Sequence, residues 1–180
     1  MTYDAAAPIG FSMAELTDAA RLRTGDPAAF ALVVGRYQHR LYRYFIRLVR
    51  DRAAADDLFQ QTWLQVIRQV QRYDPSRSFD TWLFAIAHNT AMDLLRRRPG
   101  EILEDYPAHD PDALSLLIAA ERAEHLAAAL DALPALYREA LTLRFEEGMK
   151  LEEIAAVIHA PLSTVKSRVH RGLEALRRKL

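Results

Sequence analysis

The stretch LEEIAAVIHAPLSTVKSRVHRGLEALRRKL, residues 151–180, contains the features that decide the fold of the C-terminal half. Apolar side chains recur with helical spacing over residues 151–158, and His159-Ala160-Pro161 then interrupts the pattern. A second helical pattern starts near Ser163 or Thr164. A short helix, a tight break and a second helix predict a helix-turn-helix.

The final predicted helix has an apolar face and a cationic face. Residues 161–180 hold six Lys or Arg and a single acid, Glu174, although the whole chain has a formal net charge of zero. On a helical wheel of about 100° per residue, one stripe is apolar or small and is expected to pack inward: Val165, Val169, Gly172, Leu173 and Leu176. The opposite side carries polar and charged groups, several of which can reach base edges and phosphates: Ser167, His170, Arg171, Glu174 and Arg178, with Lys166 and Arg177 beside them and Arg168 on the other flank. The alternative interpretation is a solvated helix whose cationic end favours its own dipole.

The rest of the chain is also predicted to be helical. A first helix is expected over residues 12–23, and Thr24-Gly25-Asp26-Pro27 supplies a helix exit, an N-cap and a first-turn proline. Further helices are predicted over residues 27–50, 53–72, 78–97, 112–131 and 134–146. The segment PGEILEDYPAHDP, residues 99–111, reads as a linker because it combines three prolines, a glycine and four acids.

These patterns predict an all-α protein with two small helical domains joined by an acidic linker, the C-terminal one a helix-turn-helix. The expected divisions are an N-terminal tail and short helix over 1–25, a first domain over 26–98, a linker over 99–120 and a second domain over 121–180. Twelve Arg against seven acids make residues 26–98 basic, whereas residues 99–124 hold seven acids and only Arg122. Local rather than total charge governs contact with phosphates, so both basic regions are candidates for binding nucleic acid.

Composition excludes several kinds of chemistry. The chain contains no cysteine, which rules out disulfides, thiol catalysis and Cys-ligated metal sites. Its six histidines are scattered, and there is no HExxH motif or phosphate-binding glycine loop. We therefore expect no catalytic residue, no metal and no cofactor. No signal peptide or membrane span is apparent, so a cytoplasmic protein is expected.

The C-terminal residues resemble a known family. The segment EGMKLEEIAAVIHAPLSTVKSRVHRGLEALRRKL, with LPALYREALTLR upstream, is similar to the promoter-reading domain of bacterial RNA polymerase sigma factors of the sigma-70 family, most of all the extracytoplasmic-function (ECF) class. The resemblance implies that Lys166, Ser167, His170 and Arg171 read the minus-thirty-five element in the major groove. It implies that Thr164 and Arg168 hold backbone phosphates.

Two residues depart from the family pattern in this segment. His159 stands in the turn where the family usually has glycine, at a position that often needs a positive φ. Ser163 also replaces a common glycine, and serine is a favourable N-cap.

The N-terminal half resembles the sigma domain that binds polymerase and opens DNA. The likeness rests on residues 52–98, which include DDLFQQTW and SFDTWLFAIAHNTAMDLLRRR. It implies contact with the clamp helices of the polymerase β′ subunit through the outer face of the helix 53–72, by Asp56, Asp57, Gln60, Gln61 and Leu64. It also implies contact of the second domain with the β flap. Taken alone, this face would be read as a solvated surface.

The helix 78–97 carries a candidate single-strand binding edge. Trp82, Asn89, Asp93 and Arg96 follow one another at helical spacing and offer an aromatic ring, an amide and a cation. The alternative is that Trp82 is simply a core residue. The resemblance implies that the minus-ten element is bound and melted by Tyr73, Ser78, Phe79, Trp82, His88, Asn89, Arg96 and Arg97.

The sequence therefore predicts a promoter-specificity subunit that binds core RNA polymerase and promoter DNA. Members of the class are often held by an anti-sigma factor, and apolar positions on both domains could serve such a partner. A second hypothesis is an autonomous helix-turn-helix regulator whose N-terminal domain senses a ligand or dimerises. Against it, residues 26–98 show no sign of a ligand pocket, and residues 72–98 are rich in arginine and aromatic side chains.

Overall fold

The described residues of the protein form an all-α structure. The computed structural model describes residues 20–74, 76–97, 126 and 128–179. The α-helices that it describes from end to end are α1 (Pro27–Val49), α2 (Arg52–Gln69), α3 (Phe79–Arg97), α4 (Ala135–Leu141), α5 (Leu151–Val157) and α6 (Leu162–Arg177). No β-strand occurs in these ranges, which confirms the predicted fold class. The predicted linker and most of the predicted first helix lie outside the described residues.

Local side-chain chemistry sets the boundaries of the first two long helices. Gly25 adopts a φ of 70°, and the Asp26 carboxylate accepts a hydrogen bond from the amide of Ala28 at 2.9 Å, with Pro27 in the first turn. The predicted exit, cap and start are thus confirmed. After α1, Arg50 is left-handed and Asp51 caps α2 through the amide of Ala54.

The first three helices enclose an aromatic core. Pairs of α1, α2 and α3 pack against one another. The largest side chains that they bury completely are aromatic: Tyr37, Tyr44, Phe45, Phe79 and Phe84. Full burial of such a side chain contributes about 1.5–3 kcal/mol. Within α2 and the turn after it, Trp63, Val66 and Val70 are buried against this core, whereas Ile67 is 53% exposed.

The C-terminal helices form the predicted helix-turn-helix. α5 and α6 are joined by a turn in which His159 has a φ of 50°, which confirms that this position needs a positive φ. α6 starts at Leu162, slightly earlier than predicted, with Pro161 at the N-cap position. Ser163 is therefore already inside the first turn, and no side chain caps the helix.

A wide turn and a glycine shape the packing around α6. The predicted helix 134–146 is α-helical only to Leu141, and Thr142–Glu146 widens to a π-helical turn that ends before Gly148, whose φ is 70°. α6 lies close to α4, because a Cβ on Gly172 would come within 3.1 Å of the Leu141 side chain. Leu173, predicted to face inward, is 42% exposed.

The two groups of helices pack directly on each other. α1 contacts α4, and α3 contacts α5. One continuous set of buried side chains runs from the first group to Leu143, Ile154 and Val165 of the second. Arg138 of α4 donates through Nη2 to the carbonyl of Leu48 at 3.0 Å. The sequence had indicated two units but not this contact between them.

Candidate nucleic-acid interface

The outward face of α6 presents the predicted cationic residues. Lys166, His170 and Arg171 are exposed, and Thr164, Ser167 and Arg168 are half-buried. The imidazole Nε2 of His170 lies 3.4 Å from the Glu174 carboxylate one turn later. All six side chains stand on one element with Val165 buried behind them, so the geometry suits insertion of α6 in a groove.

A shallow groove beside α6 adds residues that the sequence did not single out. It is lined from α6 by Ser163, Thr164, Ser167, Arg168 and Arg171, and from α4 by Leu136 and Tyr137. Tyr137 stands there because Gly172 allows α4 and α6 to approach, with the Tyr137 Cβ 3.4 Å from a Cβ built at Gly172. The glycine on the inner stripe is the only sequence signal that could have indicated this neighbour.

The aromatic residues before and at the start of α3 form a cluster of tilted rings rather than a fully exposed surface. Trp82 is half-buried, and its ring lies 5.0 Å from that of Tyr73 and 5.5 Å from that of Phe79. Tyr73 and Phe79 are themselves buried, at 3% and 0% exposure. Ser78 accepts a hydrogen bond from the amide of Thr81 and so caps the helix start. Of these four predicted residues, Trp82 presents the open ring and the others support it.

The far half of α3 carries an exposed polar and cationic edge. Asn89, Arg96 and Arg97 are exposed. Arg96 donates to the Asp93 carboxylate at 2.6 Å, which fixes its guanidinium along the helix surface. A groove between α2 and α3 brings together Gln61, Leu64, Gln65, Arg68, Thr90, Asp93, Leu94 and Arg97. Arg68 of α2 and Arg97 of α3 line this groove together because the two helices pack against each other.

His88 occupies a different environment from its neighbours on α3. It is 7% exposed, and its Nδ1 lies 2.7 Å from Oε1 of Glu139 on α4. The same Oε1 accepts a hydrogen bond from the Tyr44 hydroxyl at 2.5 Å. Burial, followed by the charge and hydrogen bond of Glu139, raises the pKa of Tyr44 well above its usual value, so this hydroxyl remains a donor. His88 is therefore not available to DNA in this arrangement.

The outer face of α2 is open, as predicted for a polymerase contact. Asp56, Asp57, Gln60, Gln61 and Leu64 are all exposed, and Leu64 is 53% exposed. Asp56 is also coupled to α1: desolvation and a hydrogen bond to Asp56 raise the pKa of Tyr42. Asp57 has the same exposed setting without that coupling, so the two acids are not equivalent.

Neither a metal centre nor a membrane span is found in the described ranges. No group of three or more potential His, Asp or Glu ligands is close enough there to hold a metal ion. No helix among those residues is both long and apolar enough to cross a bilayer.

Family models match both halves of the chain. Residues 33–99 match the model described as Sigma-70 region 2, and residues 123–176 match Sigma-70, region 4. The first match contains α1 from Val33 onward, α2 and α3, and the second contains α4, α5 and α6 as far as Leu176.

Several curated proteins are similar over most of the chain. The ECF RNA polymerase sigma factor SigE of Mycolicibacterium smegmatis is 40% identical over 86% of this chain, and the match spans 63% of SigE. The RNA polymerase sigma-H factor of Pseudomonas aeruginosa is 36% identical over 87% of this chain and 88% of its own length. The ECF sigma factor SigW of Bacillus subtilis is 27% identical over 89% and 93%.

Solved structures show the same fold. CnrH, solved in complex with the cytosolic domain of CnrY, superposes with a TM-score of 0.68 at 26% identity, covering 92% of this chain and 96% of that chain. The sigma factor RpoE from Bartonella quintana, solved with the anti-sigma factor NepR, gives a TM-score of 0.65 at 26% identity, covering 83% and 94%. Sequence and structure agree, and the chain belongs to the extracytoplasmic-function class of the sigma-70 family of RNA polymerase sigma factors.

Proposed function

We propose that this chain binds core RNA polymerase, directs it to promoters that carry a particular pair of elements, and helps to separate the DNA strands. The observation that carries the proposal is the presence, in one chain matching both sigma regions, of an open cationic face on α6 and an open acidic and amide face on α2. The first face suits phosphates and base edges, and the second suits a protein partner.

In the minus-thirty-five role, Lys166, Ser167, His170 and Arg171 read bases while Thr164 and Arg168 contact the backbone. The exposure of Lys166, His170 and Arg171 supports this division, because a base-reading side chain must extend beyond the helix surface. Arg171 can donate two hydrogen bonds to a guanine, whereas the half-buried Arg168 is better suited to a neighbouring phosphate.

In the minus-ten role, Trp82 supplies a stacking surface while Asn89, Arg96 and Arg97 contact base edges and phosphates. The ring contacts of Trp82 with the buried Tyr73 and Phe79 support this role, since they hold the indole in place for an unpaired base. Ser78 contributes by capping the helix that carries Trp82.

The chain acts through binding and not through chemistry of its own, in the cytoplasm where core polymerase works. Asp56, Asp57, Gln60, Gln61 and Leu64 contact the β′ clamp helices, and the C-terminal domain contacts the β flap. An anti-sigma factor is a further proposed partner, because the sigma factor RpoE, whose solved structure resembles most of this chain, is bound there to the anti-sigma factor NepR.

Reconstitution tests the proposal directly. The purified chain is mixed with core polymerase and fragmented genomic DNA of the source organism, and the transcripts are sequenced. The expected result is a set of start sites that share two upstream elements and are absent with core alone. Asp57→Arg combined with Leu64→Ala is expected to abolish these transcripts and co-migration with core. Site-specific DNA binding without any core-dependent transcript would instead support the autonomous regulator.

A further inference from the structure

The shallow groove between α4 and α6 carries hydroxyl groups that the protein itself leaves unused. They belong to Tyr137 on α4 and to Ser163, Thr164 and Ser167 on α6. None of the four side chains forms a hydrogen bond with another described residue. Pro161 and not Ser163 stands at the N-cap of α6, so no hydroxyl is used to cap this helix. Hydroxyls without an internal partner are available to a ligand that carries acceptor oxygens.

The charge of this groove is positive. Arg168 and Arg171 line it from α6, and no carboxylate is among its lining residues. Neither arginine forms an ion pair within the described part of the chain. On α1, by contrast, Arg40 is paired closely with Asp80 and Glu147. Two uncompensated guanidinium groups beside several hydroxyls favour an anion with more than one acceptor oxygen, and a phosphodiester is such an anion.

Helix packing holds Tyr137 in the wall of the groove. The residue is half-buried, and its Cβ lies 3.4 Å from a Cβ built at Gly172 of α6. The next residue, Arg138, donates through Nη1 to the carbonyls of Asp131 and Leu133 and so fixes the start of α4. A tyrosine side chain has only two rotatable angles, so a ring fixed in this way loses little freedom when it binds a ligand.

The dimensions of B-DNA bring this groove to the sugar-phosphate backbone. The major groove is about 12 Å wide, and an α-helix with its side chains is about 10–12 Å across. A helix that reads bases therefore fills the major groove, and its flanks face the two backbones. Thr164, Arg168 and Arg171 follow one another at helical spacing along the flank of α6 that borders α4. Tyr137 stands on the helix beside that flank, where a phosphate and not a base edge comes within reach.

We propose that the groove between α4 and α6 holds one strand of the DNA backbone beside the minus-thirty-five element, and that Tyr137 donates its hydroxyl to a phosphate of that strand. The role of Tyr137 rests on the minus-thirty-five role of α6 in the proposed function. It adds a contact from a second helix, which restricts rotation of the domain about the axis of α6. Tyr137 is thus a positioning residue for the side chains that read bases.

Removal of the hydroxyl alone tests this contact. Anisotropy of a fluorescent minus-thirty-five duplex gives the affinity of the full chain. Tyr137→Phe keeps the ring beside Gly172 and is expected to weaken binding about three- to tenfold, because a hydrogen bond to a charged group is lost. The hydroxyl carries no charge, so the slope of log affinity against log salt should stay that of the parent. Arg168→Ala should instead reduce this slope by about one.

Neutral methylphosphonates in the DNA identify the phosphate that Tyr137 contacts. Single replacements are scanned along both strands of the duplex. One replacement should weaken binding of the parent but add little to the loss that Tyr137→Phe already causes, whereas the others should weaken both proteins by the same factor. A residue that only supports the fold would not show this pattern, because a displaced α6 loses contacts at every position.

Tyr42→Phe is the matched control, since Tyr42 is also half-buried but lies on α1, outside the groove. It is expected to bind every duplex as the parent does, and a thermal melt verifies that both variants remain folded. Parental affinity of Tyr137→Phe, or additive losses at every phosphate, would overturn the proposal. A parent that does not prefer the native to a scrambled minus-thirty-five duplex would contradict base reading by α6. The phosphate test of Tyr137 still gives its answer on either duplex.

Discussion

Arg171 and Arg178 both stand exposed on or just after α6, but only Arg171 borders the groove that α6 forms with α4. Arg171→Ala is expected to weaken binding to the promoter by about 1–3 kcal/mol if its guanidinium reads a base. The loss should depend on the minus-thirty-five sequence, because base contacts carry specificity. Fluorescence anisotropy with native and scrambled minus-thirty-five duplexes measures both quantities.

Arg178→Ala is the matched control for that prediction. A phosphate contact at this position would weaken binding to both duplexes equally and reduce its dependence on salt. If Arg171→Ala weakened binding to the native and scrambled duplexes equally, Arg171 would be a phosphate contact and would not read a base.

Trp82 combines a structural contact with a proposed contact to an unpaired base. Trp82→Ala should leave binding to core polymerase intact but reduce strand opening, because base–aromatic stacking contributes about 1–3 kcal/mol per base. Permanganate reactivity of unpaired thymines on a promoter measures the opening. Trp82→Phe keeps a ring on Tyr73 and Phe79 and should retain most of the reactivity.

The interpretation of Trp82 as a stacking residue would be wrong if Trp82→Ala opened promoters normally. A thermal melt of each variant is the control for the ring contacts that Trp82 makes within the protein. If the variants that open promoters poorly are only those that the thermal melt shows to be destabilised, Trp82 acts as a core residue and not as a stacking residue.

At the level of single residues, the sequence predicted which side chains of α6 face outward, but it did not predict which side chains of different helices pair with each other. Helical spacing was sufficient to place Lys166, His170 and Arg171 outward and Val165 inward. It gave no reason to bury His88, whose partner Glu139 lies 51 residues further along the chain. Spacing describes one helix, and the partner on another helix is set by tertiary packing.

Among the helices, two glycines offer a direct test of how closely elements approach. Gly35 in α1 has open space where a Cβ would point, whereas a Cβ at Gly172 in α6 would lie 3.1 Å from Leu141. Gly35→Ala should therefore stabilise the protein by about 0.5–1 kcal/mol through helix propensity. Gly172→Ala should gain less or destabilise, because Leu141 must move. Urea unfolding of both variants gives the comparison.

A bulkier side chain extends the test to DNA binding. Gly172→Val should separate α6 from α4 and weaken promoter binding, since Tyr137 and Arg168 line one groove only while these helices touch. Equal stabilisation by alanine at both glycines would show that the approach of α4 and α6 is not limited by Gly172.

Helix boundaries were predictable where a residue type strongly favours one position at a helix end, as Gly, Asp and Pro do. Gly25, Asp26 and Pro27 took the predicted positions, and His159 took the left-handed conformation expected from its place in the turn. The widened turn after Leu141 was not predictable, because the same apolar spacing is compatible with an α-helix to Glu146.

For the whole molecule, the sequence indicated two helical units but not the interface between them. The ion pairs at the contact join residues as far apart as Arg40 and Glu147, and no local pattern identifies such partners. The basic charge of residues 26–98 was interpreted as a surface for nucleic acid. Three of these arginines instead pair with acids of the C-terminal region, namely Arg40, Arg43 and Arg47. Part of the basic charge is therefore compensated within the protein.

Arg40 should therefore contribute to global stability far more than an exposed arginine. Its guanidinium pairs with Asp80 and Glu147 and lies 5.2 Å from the centre of the Tyr37 ring. Burial alone would lower the pKa of Arg40, but the bonds and charges of the two carboxylates more than reverse this, so it stays charged throughout the range in which the protein folds.

Arg40→Ala would leave the buried Glu147 carboxylate without this partner, and the expected loss is about 2–3 kcal/mol of unfolding free energy. That figure lies below the range for a fully buried pair because Arg40 is 29% exposed. Arg77→Ala breaks a pair with Asp74 whose side chains are 80% and 55% exposed, and it should cost less than about 0.5 kcal/mol. Urea unfolding of both variants at one ionic strength makes the comparison. Similar small losses would mean that the pair of Arg40 and Glu147 contributes little, and that the hydrogen bonds of Glu139 and Arg138 and the apolar packing hold the N- and C-terminal regions together.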